Sequence, residues 1–169
     1  MLNIINNLKP FFEDCYRRIN VREYARLLKL SPPTASKILF GFSKEGLLQI
    51  DKDRNYIFFY ANRESRVFRD LSRVYWRLEL DELTSFLNRS LIANSIILFG
   101  SLSKAEAKKD SDIDICIIGH KKEVNLKSFE SDLKRKIQLF FFNSIEDIKN
   151  KELANNIING YVIEGRLKL

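Results

Sequence analysis

The chain has little of what marks secreted or thiolate-metal proteins. Its 169 residues hold two cysteines, Cys15 and Cys116, far apart in sequence. That usage excludes a disulfide framework and a cysteine-rich zinc site, and a cytoplasmic protein is expected. There is one histidine, His120, so a Ser-His-Asp triad has a single candidate base, and nothing in the sequence places it in one. No apolar run approaches the roughly 20 residues that a membrane span needs, so no membrane partner is expected. The opening MLNIINNLKPFF lacks the basic-then-apolar layout of a signal peptide. Internal repeats and low-complexity segments are also missing.

What is present is a globular composition, 45% apolar, with a net charge of +7. A basic excess suits a polyanion such as nucleic acid, and it also serves solubility. The excess is uneven. Residues 1–91 carry 16 Lys/Arg against 11 Asp/Glu, and residues 92–169 carry 13 against 11. The first half is therefore the better candidate for a nucleic-acid partner.

The first third reads as helices. LNIINNLKPFFEDCYRRI has apolar residues at helical spacing, with Pro10 expected near a start or bend. VREYARLLKL places Val21, Tyr24, Ala25 and Leu28 on one face. In SPPTASKILFGFSKEGLL, Ser31 is a natural N-cap, Pro32 fits the first helical position, and Gly46 marks the end. Ala35, Ile38, Leu39 and Phe42 give this helix its apolar face. LLQIDKDRNYIFFY is two apolar runs about the polar turn Asp51 to Asn55, a hairpin pattern.

Helix, short turn, helix, hairpin over residues 21–63 resembles the winged helix-turn-helix of bacterial and archaeal transcription regulators. The resemblance implies that the second helix, about 32–46, enters the major groove of duplex DNA, with the hairpin as wing. Thr34, Ser36, Lys37 and Lys44 on the helix and Lys52 and Arg54 in the turn are the DNA-contacting candidates. Winged helices also serve as protein-protein modules. Phe40, Phe42, Phe58, Phe59 and Tyr60 are many aromatics for so small a unit, most of them expected in the core and some available for a dimer surface.

Residues 64–91 read as one long helix or two short ones. Val67, Leu71, Val74 and Leu78 form an expected core stripe, with Arg66, Arg69, Arg73 and Arg77 as a basic stripe beside it. That basic stripe is either a solvated face or a phosphate contact. From Ser95 the pattern changes. SIILFG, DIDICIIG and IQLFFFN read as strands, NLKSFESDLKRK and SIEDIKNKELANNIINGYVIEG as helical, and RLKL as a tail.

Within this half, Asp112 and Asp114 are spaced i, i+2 at the mouth of an apolar strand, which points both carboxylates to one face. Two such groups repel unless a cation lies between them, and hard oxygen ligands suit magnesium, which also holds triphosphate oxygens. Gly100 and Ser101 follow a strand and precede the helix-like LSKAEAKK. Glycine there lets the backbone approach a phosphate, and a helix N-terminus supplies N–H donors. Alone, an Asp-x-Asp is equally a polar strand end making turn contacts.

Gly100-Ser101, ten residues, then Asp112-Ile113-Asp114 is similar to the signature of the nucleotidyltransferase superfamily of the DNA polymerase beta type. Its small stand-alone members, the minimal nucleotidyltransferases, are comparable in length to residues 92–169. The resemblance implies that Asp112 and Asp114 are catalytic and hold Mg2+, with room for a two-ion site. It also implies that Gly100, Ser101 and Lys104 meet the nucleoside triphosphate, ATP among the candidates. The implied reaction transfers a nucleoside monophosphate to a hydroxyl and releases pyrophosphate. Three positions depart from the pattern. Members usually carry Arg-Gly where this chain has Lys104-Ala105, and a third carboxylate where it has Gln138. An amide binds magnesium poorly and accepts no proton.

The expected fold is therefore α+β in two domains. Residues 1–63 form a winged helix-turn-helix, 64–91 a helical linker, and 92–169 a nucleotidyltransferase fold with a small mixed β-sheet flanked by helices. This layout resembles archaeal fusions of the two modules. Two functions follow from it. One is a DNA-binding, Mg2+-dependent nucleotidyltransferase, which for some minimal members means an antitoxin that adenylates a partner toxin. The other is a silent DNA-binding regulator whose second fold senses nucleotide or mediates dimerisation. A homodimer is the default expectation, since winged helices often bind DNA as dimers.

Overall fold

The computed structural model describes residues 2–167. The last two residues of the stretch read as a tail lie outside the described residues. The chain divides into two compact units. One runs up to Ser72 and takes in Ala105–Lys109, and the other comprises Arg73–Lys104 and the chain from Asp110 onward.

The first unit opens with α1 (Leu2–Glu13), whose helical spacing buries Ile5, Leu8, Phe11 and Phe12. Pro10 lies inside this helix and not at its start or at a break. The backbone bond it forfeits is offset by the full burial of the two phenylalanines that follow. A short β1 (Ile19–Asn20) leads into α2 (Val21–Leu27), capped by the Asn20 side chain, which accepts from the Glu23 N–H at 2.9 Å. Helix α3 (Pro32–Lys44) begins as the sequence predicts, with Ser31 accepting from the Thr34 N–H and Pro32 at the first position. Gly46 follows it at φ +72°, a left-handed turn suited to glycine. Strands β2 (Leu48–Asp53) and β3 (Tyr56–Ala61) form an antiparallel hairpin, and β1 adds to β3, giving the order β1-β3-β2. Phe42 and Phe59 are core residues as expected, whereas Phe40 is 43% exposed.

Helix α4 (Arg66–Glu79) corrects the expected core stripe. Val67 is 60% and Leu78 51% exposed, and Val74 is also exposed, while Phe68, Ser72, Tyr75 and Trp76 are buried. The helix carries two overlapping apolar stripes, and the aromatic one removes more area from water. Two of the four arginines of the basic stripe are bonded to backbone carbonyls, and Arg66 is exposed. In the second unit Arg73 Nε donates to the Ser103 carbonyl at 2.9 Å, and Arg77 donates to the Ile163 carbonyl at 2.7 Å.

The second unit holds α5 (Asp81–Ser90), β4 (Ala93–Phe99), the one-turn α6 (Gly100–Ser103), β5 (Ile113–Gly119), α7 (Lys127–Leu133), β6 (Ile137–Phe142), α8 (Lys151–Ile158) and β7 (Tyr161–Gly165). The sheet order is β6-β5-β4-β7, with β5 and β6 parallel and the other pairs antiparallel. This is a mixed sheet, as the sequence predicts. One face carries Ile97, Phe99, Cys116 and Ile118, packed with Ile148 and with Ile157 of α8. Two sequence readings fall here. LSKAEAKK is not a helix beyond Ser103, and the final helical stretch is a helix only over Lys151–Ile158, with bends and turns before it and Tyr161–Gly165 forming an edge strand paired to β4. Gly160 makes the second change possible. A Cβ there would press on the carbonyls of Leu98 and Ile157, so only glycine lets the chain turn this tightly into the sheet.

Candidate functional site

The carboxyl-proximal end of β4 and the start of β5 bring the motif residues together. Phe99 pairs with Asp114 across the antiparallel β4–β5 ladder, so Gly100 emerges beside Asp114. Gly100 has φ +71°, and a Cβ on it would collide with the Asp114 carboxylate. Glycine is required here on both counts, backbone and space. The helix after it is a single turn of four residues. Its contribution is accordingly the direction of its N–H groups, not the dipole of a long helix. The Ser103 hydroxyl donates to the Gly100 carbonyl at 3.0 Å and closes that turn.

Asp112 lies one residue before β5, which begins at Ile113, so the two aspartates are not both inside the strand. They are nonetheless brought to the same side group. In the parallel β5–β6 ladder Asp114 is in register with Gln138, and the Gln138 amide donates to Asp112 Oδ2 at 2.6 Å. Burial first, and the neighbouring Asp112 carboxylate second, hold the Asp114 carboxyl above its ordinary value. Arg135, itself buried, donates to the Ser111 carbonyl at 2.6 Å with its guanidinium 5.2 Å from the Trp76 ring centre. It fixes the backbone immediately before Asp112.

Lys104 ends α6, and its Nζ donates to Asn156 Oδ1 on α8 at 2.6 Å. Ala105 follows at φ +58°, a left-handed conformation in which glycine would sit more easily. Sequence reasoning missed Asn156 and Arg135. Asn156 belongs to a polar helix face with no motif around it, and Arg135 is one of several basic residues in KRK-like surroundings. Neither carries a signal distinct from its neighbours.

The donor set fits one hard divalent ion. Asp112 and Asp114 would supply two carboxylates to such an ion, and Gly100 brings backbone beside Asp114. Among the described residues no group of three His, Cys, Asp or Glu side chains is gathered to hold a metal. Among the described residues a second ion therefore has no third carboxylate gathered for it. Both cysteines are buried and burial pushes their thiols up to about 12, which removes them as nucleophiles.

In the first unit the candidate DNA-contacting residues are distributed over one helix and one hairpin. Thr34, Lys37 and Lys44 are exposed on α3 and Ser36 is half-buried, while Lys52, expected in the turn, is exposed within β2, and Arg54 is exposed in the turn itself. Thr34 Oγ1 and Ser31 Oγ lie 2.8 Å apart, so the Thr34 hydroxyl is shared with the cap. Exposed Phe40 stands between Lys37 and Lys44 at helical spacing. Among the described residues no helix is long and apolar enough to cross a membrane.

A family model described as Polymerase beta, Nucleotidyltransferase matches residues 81–166, just over half of the chain. The match takes in α5, the whole mixed sheet and both aspartates. No curated protein and no solved structure matches the chain.

Proposed function

Because this chain belongs to the polymerase beta nucleotidyltransferase family, we propose that its second unit binds a nucleoside triphosphate with Mg2+ and transfers the nucleoside monophosphate to a hydroxyl acceptor. The observation that carries this reading is the packing of Gly100 against Asp114, with Asp112 and Gln138 completing the group. Asp112 and Asp114 would hold the ion. Gly100 and Ser101 would present backbone N–H and hydroxyl donors to the phosphates, and Lys104, oriented by Asn156, would add positive charge. When bound, the ion supplies charge neutralisation between phosphate oxygens and the carboxylates. The acceptor oxygen bonds to the α-phosphorus, the bond to the bridging oxygen of the leaving pyrophosphate breaks, and the acceptor proton passes to solvent or to an aspartate. Gln138 accepts no proton.

Residues 1–63 we take as a winged helix-turn-helix that binds duplex DNA through α3 and the hairpin, as a homodimer, and residues 64–91 as a helical linker. The element order α2, α3, β2, β3 and the exposed Thr34, Lys37, Lys44, Lys52 and Arg54 support that reading. A protein partner, such as a toxin that this domain would adenylate, is part of the same proposal.

A second reading is favoured by one observation: the β6 residue bonded to Asp112 is Gln138, an amide that accepts no proton. In it the fold works without turnover, as a nucleotide sensor or as a dimerisation module of a DNA-binding regulator. Incubation with labelled ATP, Mg2+ and hydroxyl acceptors, beside an Asp112→Asn/Asp114→Asn double variant, separates the two. Label transfer that disappears in the variant supports the enzyme. ATP retention without transfer supports the sensor, and no retention at all overturns the enzyme and the sensor and leaves the dimerisation module.

A further inference from the structure

We propose that Gln138 is the resident counter-group of Asp112, so that the divalent ion enters this site only together with the triphosphate and not ahead of it. This rests on the nucleotide-binding reading above and concerns how that site is loaded.

Three observations support it. Asp112 is an acceptor when ionised, so a 2.6 Å approach from the Gln138 side chain must be made by its NH2 end. Among the described residues this is the hydrogen bond that the Asp112 carboxylate takes. The register Asp114↔Gln138 sets these two residues side by side in the parallel ladder, so the residue that holds Asp112 is also the ladder partner of Asp114. The nearby cations are engaged elsewhere, Lys104 on Asn156 and Arg135 on the Ser111 carbonyl. The amide thus does in part what a cation would do, satisfying an oxygen of Asp112 with N–H dipoles, and it holds the oxygen that an ion needs.

An ion arriving alone must break a short, charge-assisted hydrogen bond and gains only two carboxylates in return. An ion arriving with triphosphate brings several oxygen ligands already in place, and the exchange becomes favourable. A carboxylate at position 138 would reverse the order. It would repel Asp112 and Asp114 in the ion-free protein and attract an ion without nucleotide, because ligand charge count sets the affinity of such sites.

The test measures Mn2+ binding to the full chain by calorimetry and by its paramagnetic resonance signal, with and without ATP. Wild type is expected to retain Mn2+ only when ATP is present. Gln138→Glu is expected to bind Mn2+ alone at least about tenfold more tightly and to melt lower in EDTA, with the loss recovered on adding Mn2+. Gln138→Ala deletes only the donor, and it carries the test if glutamate disturbs folding. It too is expected to bind the free ion more tightly than wild type. Equal Mn2+ affinity in wild type and both variants, with ATP still bound, overturns the inference and leaves the nucleotide reading standing. Absence of ATP binding with Mn2+ in wild type overturns the nucleotide reading, and the inference falls with it.

Discussion

The Asp114 carboxylate occupies the space that any side chain on Gly100 would need. The two residues belong to adjacent strand ends, and the ladder pair Phe99↔Asp114 sets their approach. A backbone turn is thereby locked to an acidic group, and this lock is what makes the Gly-Ser pair more than a strand ending.

Gly100→Ala meets two penalties, a positive φ and a collision with a partly buried carboxylate. Together they are expected to cost about 2–4 kcal/mol. Ser101→Ala, next door, removes only a hydroxyl. Denaturant unfolding and ATP binding of the two variants are the measurements. Gly100→Ala should lose both stability and nucleotide, and Ser101→Ala should keep its stability. Equal stability of Gly100→Ala and wild type would sink the steric account.

Lys104 is aimed by Asn156, which accepts its ammonium at 2.6 Å. Asn156→Ala removes that acceptor from a half-buried position and should change stability by no more than about 0.5 kcal/mol. Its effect should appear in triphosphate affinity, weakened several-fold, the equivalent of about 1 kcal/mol. Lys104→Met should weaken it further. An Asn156→Ala protein with unchanged ATP affinity, beside a Lys104→Met protein that binds none, would show that the lysine needs no guide.

The DNA reading makes a salt-dependent prediction. Removing one cation that meets a phosphate should weaken binding to all sequences alike and lower the salt slope by about one. Lys37→Ala, Lys44→Ala and Arg54→Ala each delete one such cation, since all three side chains are exposed. Phe40→Ala is the control for the protein-protein alternative. It should leave the mobility shift intact and reduce self-association, measured by sedimentation. A shift unaffected by all three charge removals would exclude α3 and the hairpin as the DNA-binding surface.

Legibility of the fold varies with the kind of signal. Caps and turn residues are readable because they act locally: Ser31, Pro32 and Gly46 bound α3 where the sequence puts them. The strands β4, β5 and β6 are readable as short apolar runs, and the Gly-Ser to Asp-x-Asp spacing leads to the site. Two failures have one cause, competition between patterns settled only by tertiary packing. On α4 the aliphatic stripe yields to Phe68, Tyr75 and Trp76. In Tyr161–Gly165 a β-branched pair reads as the end of a helix, although β4 offers an open edge for it. Asn156 is invisible in the sequence because its meaning is a hydrogen bond with Lys104, distant along the chain.

The electrostatics of Asp114 yield a stability prediction with a definite sign. Burial, then Asp112, raises its pKa in the folded chain above the unfolded value. The folded protein therefore holds its proton more tightly than the unfolded chain does, and ionised Asp114 opposes folding. In EDTA, stability from this group should be greatest at acid pH. It should fall as pH rises from the ordinary carboxylate range through the raised value, then level off. Asp114→Asn lacks that slope, so variant and wild type should converge at low pH, with the variant the more stable near neutrality. Mg2+ with ATP should reverse the order by binding wild type alone. Denaturant midpoints of both proteins across a pH series, in EDTA and then with Mg2+ and ATP, provide the check. A gap between them that stays constant with pH would show that Asp114 ionises without cost, and the need for a cation between the two carboxylates would go with it.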